Sequence, residues 1–262
     1  MNLINFFLRS KFFDKINSFL ARKIFKLLKI FFIETYLSSL PKINYPLKNI
    51  ETDLFNSKKF LNTNSIPYMS YPQLPHLVQI MYEKQNNLTF FDYGAGNLSL
   101  YNYLNRKYSG INYYFKDQDI IEKKVAEIIN KNRIENLFIG DKKNTSYIDI
   151  LFFGSSIQYI NNYKEELSFF LKRSKYILIA QTPFFQNDEL QDKIVLKQIN
   201  MHPNINYLYL FNLSSFLKYM SENNFELVEK SINKVTKFLN FKNFNRQKYK
   251  NINMYDLLFK LK

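Results

Sequence analysis

The chain contains no cysteine and no tryptophan, which rules out disulfides and thiolate metal sites. Histidine is nearly as scarce. His76 and His202 are the only two and lie far apart, so a histidine-based metal site is not expected. No run of about 20 apolar residues occurs, so no transmembrane helix is expected. The N-terminus lacks a compact apolar region followed by a small-residue cleavage site, and a cytoplasmic protein is the expectation. Arginine is confined to Arg9, Arg22, Arg106, Arg133, Arg173 and Arg246, while lysine, asparagine, isoleucine and phenylalanine abound, the bias of an AT-rich genome. Glycine occurs only at Gly94, Gly96, Gly110, Gly140 and Gly154. A chain this poor in glycine keeps it where a side chain cannot be tolerated, in a turn with positive φ or against a ligand.

What is present fits one α/β domain with an extension: 262 residues, 46% hydrophobic and 18% aromatic. The net charge of +15 invites a nucleic-acid reading, but it is unevenly spread. Residues 1–59 carry 11 basic and 4 acidic groups, residues 230–262 carry 9 and 1, and the stretch between carries 17 of each. The central domain therefore has no net field to attract phosphate, and nucleic acid is not the expected partner.

The organising stretch is Leu88-Thr89-Phe90-Phe91-Asp92-Tyr93-Gly94-Ala95-Gly96-Asn97, followed by helical spacing to Leu104. An apolar run, an acid, Gly-x-Gly and a helix start describe a buried strand, a tight turn and a helix N-terminus. A dinucleotide fingerprint would need a third glycine where Ser99 stands. This arrangement resembles motif I of the class I S-adenosylmethionine (SAM)-dependent methyltransferases. The resemblance implies a Rossmann-like, mostly parallel seven-stranded sheet with an antiparallel last strand, and SAM as cofactor. It puts the methionine part of SAM against Asp92, Tyr93, Gly94, Ala95 and Gly96.

Upstream, residues 3–36 show helical spacing of Phe12, Ile16, Phe19, Leu20, Ile24, Leu27, Leu28 and Phe31, with basic residues between. This reads as a basic amphipathic extension over 1–45, either lying on a membrane surface at the inner membrane or packing on the domain. Residues 46–87 read as a lid or linker ending in a helix from His76 to Lys84; the resemblance implies that Tyr68-Met69-Ser70-Tyr71 folds over the cofactor as a lid and that Tyr68 meets the substrate. The SAM-binding domain proper is assigned to 88–262.

Downstream, Ile111–Phe115 reads as a second strand ending at Asp117. An acid about 20 residues past a glycine turn has two acceptor oxygens for a ribose diol. Asp117 takes that role with Gln118 beside it; Asp119 reads better as the cap of the next helix. Leu137–Ile139 is a third strand, and Asp141, after Gly140, is either the adenine acceptor the resemblance implies or part of a plain turn. Tyr147–Ile160 reads as a buried strand and its exit; it resembles motif IV of small-molecule methyltransferases, which implies Gly154 and Ser155 toward the cofactor and Gln158 and Tyr159 toward the substrate. Tyr176–Phe185 is a fifth strand and its exit loop, and 186–206 a polar insertion holding His202. Phe225–Ile232 and Met254–Leu261 are two strands with no helical pattern between them, so antiparallel pairing is expected.

Taken together, Asp92–Gly96, Asp117, Asp149–Ile160, Tyr176–Phe185 and Tyr255–Leu261 resemble a methyltransferase family that bacteria often encode beside surface-polysaccharide genes. Ile157-Gln158-Tyr159 and Thr182-Pro183-Phe184 are its more specific marks, and Asn97 after Gly96 departs from its glycine-rich turn. What the resemblance implies is methyl transfer to a small-molecule or glycan-precursor acceptor, an O-methylation in polysaccharide synthesis. Tyr159 stands where many relatives have a histidine base, leaving Tyr159, His202 and Asp188 as candidates. A SAM-fold protein without catalysis and an RNA methyltransferase are the alternatives.

Overall fold

The computed structural model describes residues 23, 30–42, 71–141, 145–199, 205–234, 241 and 243–262. Tyr68, His202 and most of the proposed amphipathic extension lie outside the described residues.

In chain order the elements are β1 (Phe32–Glu34), α1 (Leu74–Gln85), β2 (Leu88–Tyr93), α2 (Ser99–Lys107), β3 (Ile111–Lys116), α3 (Asp119–Asn132), β4 (Leu137–Ile139), β5 (Ile148–Gly154), a 3₁₀ turn (Ile157–Tyr159) and α4 (Tyr163–Leu171). Then come β6 (Ser174–Gln186), β7 (Lys193–Gln198), β8 (Asn206–Asn212), α5 (Leu213–Glu222), β9 (Phe225–Ile232) and β10 (Lys250–Leu261). Strands β4, β3, β2, β5 and β6 lie side by side and parallel. Antiparallel β10 follows beside β6, and β9 flanks β10 at the edge. The mostly parallel, Rossmann-like α/β sheet with an antiparallel last strand is thus the fold.

The strands alternate or run wholly apolar because helices cover both faces. Phe90, Tyr113, Ile150, Phe152 and Leu178 point to one face, packing with Leu77, Val78 and Met81 of α1, Leu104 of α2 and Val125 of α3. Phe91, Leu151, Phe153, Ile177 and Ile179 point to the other, against Leu167 and Phe170 of α4 and Phe216 and Met220 of α5. Each fully buried phenylalanine stabilises by about 1.5–3 kcal/mol. Helix ends follow the chemistry of their residues: Pro75 sits in the first turn of α1, and Asn86 takes the left-handed conformation that closes it, with φ +50°.

Several expectations are corrected. The stretch 186–206 is more than a polar insertion: it contributes β7, which pairs antiparallel with β8, and β1 pairs antiparallel with β7. The tail of the expected N-terminal helix is accordingly a strand, with Phe32 and Ile33 buried. Strand β6 also takes in the expected exit loop, running unbroken from Ser174 to Gln186. Above the point where β5 ends, Phe184 and Phe185 pair with β8 in its place. The reason is burial: Phe184 belongs to the α4/α5 core, and Phe185 joins Phe32, Leu196, Leu208 and Tyr249 in a third cluster. Among the described residues the sheet has ten strands rather than seven.

Candidate cofactor and acceptor cleft

The strand–turn–helix after β2 is pinned to its neighbours by backbone. The Gly94 and Ala95 amides donate to the Lys116 carbonyl, at 2.7 and 3.2 Å. Asp117, just past β3, takes the Gly96 amide on Oδ2 and the Gln118 amide on Oδ1, each at 2.7 Å. Each carboxylate oxygen keeps a lone pair for a further donor. Asn97, the departure from the resembled turn, has a local role: its Oδ1 accepts the Ser99 amide at 2.8 Å, satisfying one orphan donor at the start of α2.

The glycines divide. Both have positive φ, +76° at Gly94 and +69° at Gly96. A Cβ at Gly94 would lie 2.3 Å from Ser156 Cβ, whereas at Gly96 nothing stands within 4 Å. Gly94 is therefore required by packing against the β5 exit, and Gly96 leaves open space for a ligand. Gly94→Ala should cost about 2–4 kcal/mol, from the left-handed backbone and the forced shift together, and a melting curve reads the loss directly. Gly96→Ala should cost only the backbone part while weakening cofactor binding; equal melting losses for both would overturn this division.

The β5 exit faces the turn. Ser155 has φ +60°, its amide donates to the Ala180 carbonyl at 2.9 Å, and Ser156 Oγ donates to the Tyr93 carbonyl at 2.5 Å. Between the two exits lies a cavity of about 410 Å³ lined by Tyr93, Gly94, Asp117 and Gln118 on one side and Ser155, Ser156, Tyr159 and Ile160 on the other, with Asn206 of β8 closing it. Among the described residues of that lining Asp117 is the one charged group. Burial pushes its pKa up, against the pull of the Gln118 and Gly96 amides. Tyr93 is no base at neutral pH: burial, then Glu166, which accepts its hydroxyl at 3.2 Å, raises the phenol pKa.

The cleft thus gathers Tyr93, Gly94, Asp117, Gln118, Ser155 and Tyr159 as the sequence suggested, with Gly96 opening beside them. Other candidates fall elsewhere. Asp92 is buried, its carboxylate receiving the Tyr113 hydroxyl. Asp141 is exposed and off the lining, its carbonyl accepting Thr145 Oγ1 at 2.9 Å. Gly154 turns its bare side to the Phe152 ring and the Tyr71 hydroxyl, not to a cofactor. Gln158 is 1% exposed and spans Ser155 Oγ and Thr182 Oγ1, at 3.1 and 3.2 Å, so it braces the exit instead of meeting a substrate. Asp188 is exposed in the turn after β6, away from the cleft, and Asp119 opens α3 while Gln118 holds the cap position. Ala95 packs against the α1–α3 core. Sequence reasoning missed Ser156, Ile160 and Asn206. Asn206 carried no signal, since it becomes part of the cleft only through the β8 pairing.

SAM fits these residues. The volume lies in the range of ligand pockets, Gly96 gives a bare backbone approach, and an acid with free acceptor capacity stands at the strand tip without a cation among the described lining residues to repel a sulfonium.

No family model matches the sequence, and no curated protein does. Similar solved structures include an S-adenosylmethionine-dependent methyltransferase from Clostridium acetobutylicum, 12% identical over 82% of this chain and 99% of that one, with a TM-score of 0.46. Another is the 1,6-didemethyltoxoflavin-N1-methyltransferase of Burkholderia thailandensis, solved with its namesake ligand and S-adenosylhomocysteine. It is 10% identical over 87% of this chain and 99% of that one, with a TM-score of 0.47. A third is SAM-bound CalS10, an amino pentose methyltransferase from Micromonospora echinaspora, 6% identical over 85% and 99%, with a TM-score of 0.46. Likeness at these values says nothing about chemistry, which is read from the cleft's own residues.

Proposed function

We propose that the protein is a SAM-dependent methyltransferase acting on a hydroxyl of a small-molecule or glycan-precursor acceptor, in the synthesis of a surface polysaccharide. The observation that carries this is the Asp117 carboxylate standing on the same cavity as the open face of Gly96 and the β5 exit. Bound SAM supplies an electrophilic methyl group. Asp117 accepts the ribose hydroxyls, and Gly96 admits the cofactor against bare backbone. Gln158 holds Ser155 at the exit, and Tyr159, whose hydroxyl donates to Gln198 Oε1 at 3.0 Å, stands with Asn206 to orient the acceptor. Holding two reactants in line can lower a barrier by about 7–11 kcal/mol, so alignment is the main contribution asked of this cleft. Among the described residues the lining carries serine, tyrosine and asparagine but no lysine or arginine, which favours a hydroxylated, uncharged acceptor group over a phosphate backbone.

The test is titration of the full chain with S-adenosylhomocysteine, followed by transfer of labelled methyl to simple sugars and to bulk RNA. Binding with transfer to sugars is expected. No binding ends the cofactor reading, binding without any transfer favours the non-catalytic alternative, and transfer to RNA replaces the acceptor class.

A further inference from the structure

A second cavity, of about 460 Å³, lies beyond the cleft where β10 begins beside the end of β6. Phe244, Tyr249 and Ile252 form its apolar part, and Arg246, Lys250 and Asn251 its polar rim. The aromatic side is rigid: Phe244 meets Tyr249 edge-on at 5.9 Å, and Tyr249 meets Phe185 edge-on at 5.3 Å. The nearby acid is Glu34 of β1, and it is engaged by Lys248 Nζ at 2.9 Å and by the Tyr249 hydroxyl at 2.5 Å. Arg246 and Lys250 form no ion pair among the described residues. The single acid of 230–262, Asp256, is 1% exposed and bonded to Asn233 and the Gln181 amide, so it offers the rim no counter-charge. The backbone is shaped here as well. Asn251 has φ +50° within a register shift of the β10–β6 ladder, and its Nδ2 is held by Gln186 Oε1 at 2.8 Å. Bulges of this kind commonly re-aim side chains beside sites.

A guanidinium and an ammonium over an aromatic and aliphatic floor suit a phosphate ester carried on an apolar or ring-bearing body. Position adds to this. On β6, Ala180 is level with the end of β5 at Gly154, and Gln186 is level with Lys250. Six residues of strand separate them, about 20 Å. We propose that this cavity holds the diphosphate of an activated glycan acceptor, whose several sugars reach back along β6 to the cleft. The proposal rests on the methyltransferase reading and names its substrate class: an oligosaccharide joined through diphosphate to a nucleoside or to a prenyl chain. The cleft, whose described lining holds no cation, and the cationic rim of the second cavity then serve two ends of one molecule.

Full-length protein is titrated with uridine diphosphate, farnesyl diphosphate and inorganic pyrophosphate, alongside S-adenosylhomocysteine. One of the two organic diphosphates should bind at least about tenfold more tightly than pyrophosphate, and which one it is identifies the carrier. The Arg246→Gln/Lys250→Gln variant should lose at least about tenfold in that affinity with S-adenosylhomocysteine binding unchanged. Absence of saturable diphosphate binding, or an affinity the variant leaves intact, overturns the proposal, as does pyrophosphate binding as tightly as both organic probes. Loss of S-adenosylhomocysteine binding in the wild type would instead sink the methyltransferase reading.

Discussion

Asp117→Ala should weaken S-adenosylhomocysteine binding by about 100-fold or more. Two charged hydrogen bonds to ribose hydroxyls are worth about 1.5–3 kcal/mol each, and about 3 kcal/mol is a factor of roughly 100. The variant also strips the acceptor from the Gly96 and Gln118 amides, which both point at this carboxylate. The glycine turn then loses its tie to the end of β3, although Gly94 and Ala95 still bond the Lys116 carbonyl. Asp117→Asn separates the two effects. Its amide oxygen keeps one backbone acceptor, so the turn should hold, while the lost charge and the second acceptor should leave an intermediate affinity. Isothermal titration of the three proteins checks the series. A wild-type affinity in Asp117→Ala would mean that the carboxylate serves the turn alone, and the cofactor would have to be sought elsewhere.

Asp117 was legible because its position follows from two periodic strands and a spacing: the acid ends β3, and β3 lies beside β2. The parallel half of the sheet was legible for the same reason, since runs such as Ile150–Phe153 have no other stable place than a covered centre. The antiparallel close was readable from the missing helix between β9 and β10. What failed were features set by distant pairing. Lys193–Gln198 carries only four apolar or buried positions between polar ends, and becomes β7 because β8 and β1 flank it. Phe32–Glu34 lies at the end of a helical spacing, yet is drawn into a strand by the same edge. Gln158 was assigned to the substrate on its place after β5, but a 3₁₀ turn aims it inward to Ser155 and Thr182. Gly94 looked identical in role to Gly96, and only the approach of Ser156 tells them apart. In each case the local pattern was compatible with two outcomes, and a partner far along the chain chose.

Asp92 should make the protein less stable at neutral pH than at mildly acidic pH, and Asp92→Asn should remove that dependence. The carboxyl is fully enclosed. Burial pushes its pKa from 3.8 to about 7; the Tyr113 hydroxyl pulls against this and the Asp117 charge adds to it. The unfolded chain gives up this proton near pH 4, whereas the folded chain keeps it until about pH 7. Between those values the folded state binds more protons, so stability falls as pH rises, and above pH 7 the whole penalty is present. A shift of this size corresponds to at most about 4 kcal/mol. Asp256, also raised mainly by burial, acts in the same direction, and Asp192, lowered mainly by its hydrogen bond from Lys164, acts in the opposite one at the surface. Denaturant unfolding of wild type and Asp92→Asn from pH 4.5 to 8 isolates the contribution. The variant should gain most at pH 8 and little at pH 4.5, and a gain independent of pH would show that Asp92 does not titrate as argued.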